Sequence, residues 1–578
     1  MIRAIRSALA PIGKGYVRLN MAVMLLLVAC AAVFNVYYAN MLGQLAGQME
    51  GGGDPWGTVY RMLAALLGVC LVAVVESVYK TKLRCDAVER YQKRFSRSLL
   101  EARMKDIRNL NAGDVNVRGT SDIFAAANIW TTDLWRLTSN ICRIAASMVA
   151  IILINPLFCL FMLLVIAGSF LLQVIVSRPM QGCRKKYFDS LGQAETVSVD
   201  LLGNLETVQV EKAQKWAYTR YHDALRGVEM KFRRQQIPLT LLMSGSFFCS
   251  MLPMLFGIFY PALSYTGGKM ILEECITVIT LALSLTTVVQ SMTQILGNLQ
   301  QDIASLQRVE EVWSLEAEQE AYRSCGSYRL AGNSESGSKG SHEVLCRAEN
   351  ITFGYSEETD IMQGWSCELE RNRLYLLTGI NGAGKSTFSK LLTGLYLPKE
   401  GTIEYYMEGM KEQDLYALRS RAVIAEQNPV LFEGSIIDNI RKGNENLSTE
   451  EIQEWCDATG VRRVFEGIPG GMEAPIEQKG VNLSGGQKKC ISVSRALLSG
   501  AELIILDEPT ANLSSDICEV IYRQAAQTLQ KKEGQTVLVI THDGGFEKAF
   551  PDAQRLSMET RRSMEARRSM ETEHSMEG

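Results

Sequence analysis

Six apolar runs fill the first half of the chain, at 19–42, 58–79, 137–154, 157–177, 238–260 and 271–296. Most approach the roughly 20 residues that an α-helix needs to cross hydrocarbon. Lipid offers no partner for a free N–H or C=O, so a run of this length has to cross as a helix. The second half, beyond residue 300, has no such run. The 47% hydrophobic content of the whole chain therefore averages a membrane part and a globular part.

Charge fixes the number of spans. The connection after the second run carries Lys80, Lys82, Arg84, Lys93, Arg94, Arg97, Arg103 and Arg108, and the one after the fourth carries Arg178, Arg184, Lys185, Lys186, Arg233 and Arg234. Residues 43–57, Asn155-Pro156 and 261–268 carry no basic residue. Six spans put every basic stretch on one side, as the positive-inside bias requires, whereas five would strand 178–237 outside. Asn155-Pro156 then reads as a tight external turn. Both termini fall on the cytoplasmic side of a plasma (cell inner) membrane, and the basic N-terminus with a long first run reads as a retained span. The two basic connections read as helices that extend beyond the bilayer.

Glu76, Arg143 and Glu273 fall near span ends, so no proton relay or ion pathway is expected. Asn35, Thr286, Thr287, Gln290 and Gln294, among many Met, Phe and Tyr, suit a cavity for a large amphipathic substrate, and ordinary helix packing accounts for most of them equally well. A net charge of -3 argues against a nucleic-acid partner. The 14 cysteines and four histidines are too scattered for a disulfide framework or a structural metal.

After residue 318 a flexible linker is expected over 319–343, carrying the Gly/Ser-rich stretch 332–340. Residues 344–555 alternate short apolar strands with helices, the pattern of a mostly parallel α/β sheet. Within it, 379–387 reads Gly-Ile-Asn-Gly-Ala-Gly-Lys-Ser-Thr, between an apolar strand and a helix. Glycines let successive N–H groups turn inward around phosphate oxygens at a helix N-terminus. Asn381, Gly382, Gly384 and Thr387 would form the cradle, Lys385 would reach the β and γ phosphates, and Ser386 would ligate Mg²⁺. The strand 503–506 ends in Asp507-Glu508. Asp507 would hold Mg²⁺ through water and Glu508 would take a proton from an attacking water.

Leu483-Ser484-Gly485-Gly486-Gln487, followed by Arg495-Ala496 and by Asp507-Glu508-Pro509-Thr510, resembles the signature of ATP-binding cassette (ABC) proteins. Across the whole chain the arrangement looks like a half-size ABC exporter: an all-α six-helix transmembrane domain followed by an α/β P-loop ATPase domain. The resemblance implies ATP and Mg²⁺ as ligands. It makes Tyr355 the aromatic residue that stacks on adenine, Gln427 a sensor of Mg²⁺ and the lytic water, and His542 a contact to the γ-phosphate. It also implies that Ser484, Gly485, Gly486 and Gln487 complete the ATP site of a second half-transporter chain. A homodimer is expected, with a heterodimer, or a membrane-anchored ATP sensor without transport, as alternatives. The cargo would be an amphipathic small molecule, peptide or lipid, and coupling segments would lie near 104–111 and 205–211. Two departures stand out. Ala511-Asn512-Leu513-Ser514 replaces Ser-Ala-Leu-Asp, losing a carboxylate, and 476–480 departs from Val-Gly-Glu-x-Gly. The domains expected are 1–318 transmembrane, 319–343 linker, 344–555 nucleotide-binding and 556–578 a low-complexity tail in which Arg-Arg-Ser-Met-Glu recurs.

Overall fold

The computed structural model describes residues 10–108, 110–330, 344–356, 358–407, 414–477, 480–530 and 534–558. The Gly/Ser-rich stretch 332–340, Gln478-Lys479 and the repeats of the tail lie outside the described residues. The chain forms two compact units, Met1–Ser98 with Asn111–Ser314 and Leu99–Leu110 with Leu315–Gly578.

The first unit is all helix. Its long members are α1 (Lys14–Glu50), α2 (Trp56–Leu100), α3 (Leu134–Ile154), α4 (Pro156–Gly203), α5 (Gln214–Thr266) and α6 (Leu272–Trp313), one for each apolar run. Among the described residues four helices are long and apolar enough to cross a membrane, and shorter apolar helical stretches lie at Pro156–Gly168 and Met251–Thr266. The polar turn between the third and fourth runs is where two helices meet. Asn155 accepts from Phe158 N at 3.0 Å and donates to the Tyr260 hydroxyl at 2.9 Å, while Pro156 takes the first helical position, where its missing N–H costs nothing. Behind that turn Ile151, Phe158, Met162, Leu281 and Leu285 form a buried cluster. The short helix Leu205–Val210 falls where one coupling segment is expected, and the other, Met104–Ile107, belongs to the second unit.

In the second unit a five-stranded sheet carries the site. Its strands are β4 (Leu374–Gly379), β6 (Ala422–Ala425), β7 (Leu503–Asp507), β8 (Thr536–Ile540) and β9 (Gln554–Met558), following β1 (Tyr328–Leu330), β2 (Val344–Phe353), β3 (Met362–Glu370) and, before β6, β5 (Glu400–Tyr405). The order is β9-β4-β8-β7-β6, all parallel. Both faces of the inner strands are covered, so β4, β7 and β8 read as near-continuous apolar runs, while the edge strand β9 alternates. Leu376, Leu506 and Val539 join one core, and Tyr375, Ile505 and Leu538 join another on the opposite face. The remaining strands form a mixed sheet, β1-β5-β2-β3.

Two boundaries differ from expectation. Residues that read as linker instead form the helix Glu318–Cys325 and the strand β1, because Tyr322 and Tyr328 are buried in the second core and Glu318 holds Arg419 through two bonds of 2.8 and 2.6 Å. Strand β9 runs to Met558, past residue 555, because Met558 pairs with Gly379 beside the phosphate loop.

In the membrane unit α1 and α6 approach closely at Gly43. A Cβ there would meet Thr277 Oγ1 at 2.2 Å and Glu273 O at 2.4 Å, whereas one at Gly47 would stop 3.5 Å from Glu273 Cβ. Small residues permit such helix contacts in lipid. Gly43→Ala should cost about 1–3 kcal/mol through overpacking, read as a lower thermal midpoint of the full chain in detergent, while Gly47→Ala leaves the midpoint close to that of the parent.

Candidate functional site

The register of three strands assembles the site. Ile540 of β8 sits opposite Leu377 of β4 on one side and Asp507 of β7 on the other. The chain therefore leaves β4 into 379–387, β7 into Glu508 and β8 into His542 from one edge of the sheet.

The loop 379–387 runs from the end of β4 directly into a helix. Gly382 and Gly384 have φ of 83° and 96°, conformations that glycine adopts without strain. A Cβ on Gly379 would lie 2.3 Å from Met558 O, so β9 itself demands glycine there. The helix Lys385–Leu392 starts directly from the loop, with Thr387 buried and Asn381 and Ser386 exposed. Lys385 folds back, its Nζ donating to Gly379 O at 2.8 Å and Ile380 O at 3.0 Å. Burial lowers its pKa against the opposing pull of Glu508 and Asp507.

Asp507 is 5% exposed, and burial raises its pKa although Ser386 hydrogen-bonds to it. Its Oδ1 has no hydrogen-bond partner among the described residues. Glu508 follows in a left-handed conformation, φ 47°, with its N–H donating to Ile540 O at 2.9 Å. Gln427 Nε2 donates to the Glu508 carboxylate, which brings together two residues 81 positions apart. His542 is exposed at the end of β8.

Ser484 and Gln487 cap the helix Gly485–Leu497 reciprocally: Ser484 N donates to Gln487 Oε1 at 2.9 Å, and Gln487 N donates to Ser484 Oγ at 3.3 Å. Ser484 and Gly485 are exposed and Gly486 is buried. No hydrogen bond among the described residues joins 484–487 to 379–387. A cavity of about 340 Å³ lies beside this helix, lined by Gln427, Gly485, Lys489 and Asn512 among others.

Three further residues contribute to the site. Lys489 Nζ donates to Glu508 O at 2.9 Å and Ala511 O at 2.8 Å, fixing the chain that follows β7. Asp543 accepts from Thr510 Oγ1 at 3.2 Å, Tyr522 OH at 3.1 Å and Gly545 N at 2.9 Å, so it ties the segment after His542 to the segment after Glu508. Arg108, beyond the short helix Met104–Ile107, sets its guanidinium 4.5 Å from the ring centroid of Tyr355. Tyr355 is half-buried against Phe353 and Tyr396, and its hydroxyl lies 3.3 Å from Thr387 Oγ1. Asp543 directly follows His542 and Arg108 lies in the expected coupling segment 104–111, but nothing along the chain signals the contact of Arg108 with Tyr355 or the role of Lys489.

Removing Arg108 by Arg108→Ala should tighten ATP binding by about two- to fivefold, since an exposed cation–π contact is worth about 0.5–1 kcal/mol and would no longer compete for the tyrosine face. Equilibrium binding of a fluorescent ATP analogue checks this. Asp543→Ala should cost about 1 kcal/mol as a lost helix cap. The bond from Gly545 N, with those from Tyr522 and Thr510, holds the Asp543 carboxyl below its usual range. The stability it contributes is thus present above the ordinary carboxylate pKa of about 4 and is lost as pH falls through the lower folded value. Denaturant midpoints of parent and variant should differ at neutral pH and converge on acidification.

Comparison with known proteins agrees with this geometry. The family description "ABC transporter transmembrane region" matches residues 19–289, and "ABC transporter" matches residues 362–511. The multidrug resistance ABC transporter ATP-binding and permease protein of Lactococcus lactis subsp. cremoris is 24% identical over 494 residues, covering 85% of this chain and 81% of that protein. ABC transporter B family member 2 of Dictyostelium discoideum is 35% identical over 197 residues, 33% of this chain, and the match spans 14% of that longer protein. The solved structure of a bacterial Atm1-family ABC exporter with ATP bound shares the fold, with a TM-score of 0.80 at 19% identity over 94% of each chain. A transmembrane region fused to a nucleotide-binding cassette places this chain in the family of ABC transporters, ATP-hydrolysing proteins of the membrane.

Proposed function

We propose that the chain is one half of an ATP-driven exporter that moves an amphipathic or hydrophobic compound, peptide or lipid out of the cytoplasm. The observation that carries the proposal is the row Leu377, Ile540 and Asp507, which gathers the phosphate loop, Glu508 and His542 at one sheet edge. Residues 1–98 and 111–314 serve as the membrane domain and 315–558, with 99–110, as the ATPase, in a plasma membrane, with both termini and the ATPase cytoplasmic. The similarity to the Lactococcus multidrug resistance transporter supports a cargo of this class.

Each side chain then has a task. The loop amides around Asn381, Gly382 and Gly384 receive the phosphates, Lys385 neutralises them, and Tyr355 packs against adenine. Glu508 accepts the proton of the attacking water, Gln427 orients that water, and His542 contacts the γ-phosphate. The oxygen donors present fit Mg²⁺: Ser386 hydroxyl, Gln427 amide oxygen and, through water, the unpartnered Oδ1 of buried Asp507. When bound there, Mg²⁺ offsets charge on the β and γ phosphates.

Because 484–487 make no bond to this chain's own loop, we assign them to the site of a second copy. Ser484, Gly485, Gly486 and Gln487 would close over ATP held by the partner's loop, and closure would pass to the spans through Met104–Ile107 and Leu205–Val210. A homodimer follows most directly. A heterodimer is the second reading, favoured by Ser514, which stands where the family usually carries a carboxylate.

Glu508→Gln should lower ATP turnover by about a hundredfold or more, the scale of a lost general base, and leave ATP affinity intact. Phosphate release and nucleotide binding by the purified full chain measure both, and undiminished hydrolysis would remove Glu508 as the base.

A further inference from the structure

Arg143 lies within the apolar run 137–154, where an arginine is costly unless it meets water or an anion. Sequence position alone lets it escape to the membrane surface, as long cationic side chains near helix ends do. In the fold Arg143 is exposed and borders an open cavity. A cavity of about 330 Å³ opens between α2, α3 and α6, lined by Glu76, Lys80, Arg136, Arg143, Thr287 and Ser291 among others. Its walls carry three cations and one carboxylate.

That carboxylate is already engaged. Glu76 accepts from Trp135 Nε1 at 2.6 Å and pairs with Lys80, whose Nζ also stands 5.0 Å from the centre of the Trp135 ring. Asn140 donates to Ser291 Oγ at 2.7 Å, which ties α3 to α6 at the same level. Arg136 has the buried Asp133 as an electrostatic neighbour. Arg143 has no carboxylate at ion-pair distance among the described residues. A guanidinium in this state presents a planar fork of donors suited to a carboxylate or a phosphate.

We propose that this cavity binds the anionic head group of the exported compound, so that the cargo is an anionic amphiphile carrying a carboxylate or phosphate. The assignment rests on the exporter reading above for the word cargo, and on the cavity alone for the word anionic. At about 330 Å³ the cavity lies at the small end of the roughly 300–1,000 Å³ range of ligand pockets, room for a head group and the start of a tail. The remainder of the ligand is apolar because the cavity opens among membrane helices. Arg143 binds the anion. Glu76 holds Lys80 and Trp135 in place and moderates the positive field.

The test uses the full chain in phosphatidylcholine nanodiscs without nucleotide, titrated calorimetrically with dodecyl phosphate and with dodecyltrimethylammonium, which share one tail and differ in charge. Dodecyl phosphate should bind about tenfold tighter or more. Arg143→Gln should weaken its binding by about tenfold or more, and Arg143→Lys by less, because charge remains while the fork is lost. Glu76→Gln, which keeps an acceptor for Trp135, should tighten the anion, the opposite sign to Arg143→Gln. Equal binding of the two amphiphiles, or an Arg143→Gln protein that retains both its melting temperature and its affinity within about twofold, overturns the proposal. If Arg143→Gln does not fold, an unchanged or weakened affinity in Glu76→Gln overturns it. A second arm replaces the soluble probe by phosphatidic acid in the disc: competition with dodecyl phosphate there identifies a lipid head group, and its absence alongside dodecyl phosphate binding identifies a soluble anion. Binding is read without ATP, so a failure of the exporter reading, seen as ATP-independent movement of cargo, is distinguishable from a failure of this one.

Discussion

Everything chemical in the second unit depends on the register of three parallel strands. Leu377, Ile540 and Asp507 lie in one row, and the hydrogen bonds of that row set how far each chain has travelled when it leaves the sheet. A slip by one residue would turn Asp507 to the other face and carry Glu508 with it. The apolar sides of the row, Leu506 and Val539 on one face, Ile505 and Leu538 on the other, resist such a slip because each face is buried against its own core. The placing of the carboxylates is thus a consequence of packing far from any phosphate.

The membrane unit obeys a different constraint. With no water in hydrocarbon, the backbone must satisfy itself within each helix, and the freedom that remains is confined to helix ends and to close contacts. Asn155 shows the first, serving both as a cap for α4 and as a partner for Tyr260 on α5. Gly43 shows the second, letting α1 lie against the backbone of α6. Polar side chains then do what water does elsewhere, as in the bond between Asn140 and Ser291.

Legibility in the sequence follows the range of the interaction. Six apolar runs announce six helices because span length and periodicity are local properties, and 379–387 announces a loop between strand and helix because its glycines are contiguous with the apolar runs on either side. Residues 318–330 are illegible for the opposite reason. An eight-residue helix of mixed polarity resembles a linker until Tyr322 and Tyr328 find a core built by strands that come later. Arg143 reads as an ordinary span-end charge, and its company of Glu76, Lys80 and Ser291 comes from two other helices. Tyr355 is singled out by its motif, yet its contact with Arg108, nearly 250 residues earlier, leaves no mark along the chain.

The backbone of Glu508 leads to a last point. A left-handed φ of 47° suits glycine or asparagine and is strained for a glutamate by about 1–3 kcal/mol. The conformation is clamped on both sides of the residue, by Ile540 O on its N–H and by the Lys489 ammonium on its carbonyl. Durability and activity therefore pull this position in opposite directions. Glycine or asparagine at 508 would relieve that strain, so the proposed base occupies a position whose backbone favours another residue type, and the clamps around it supply what the side chain's own preference does not.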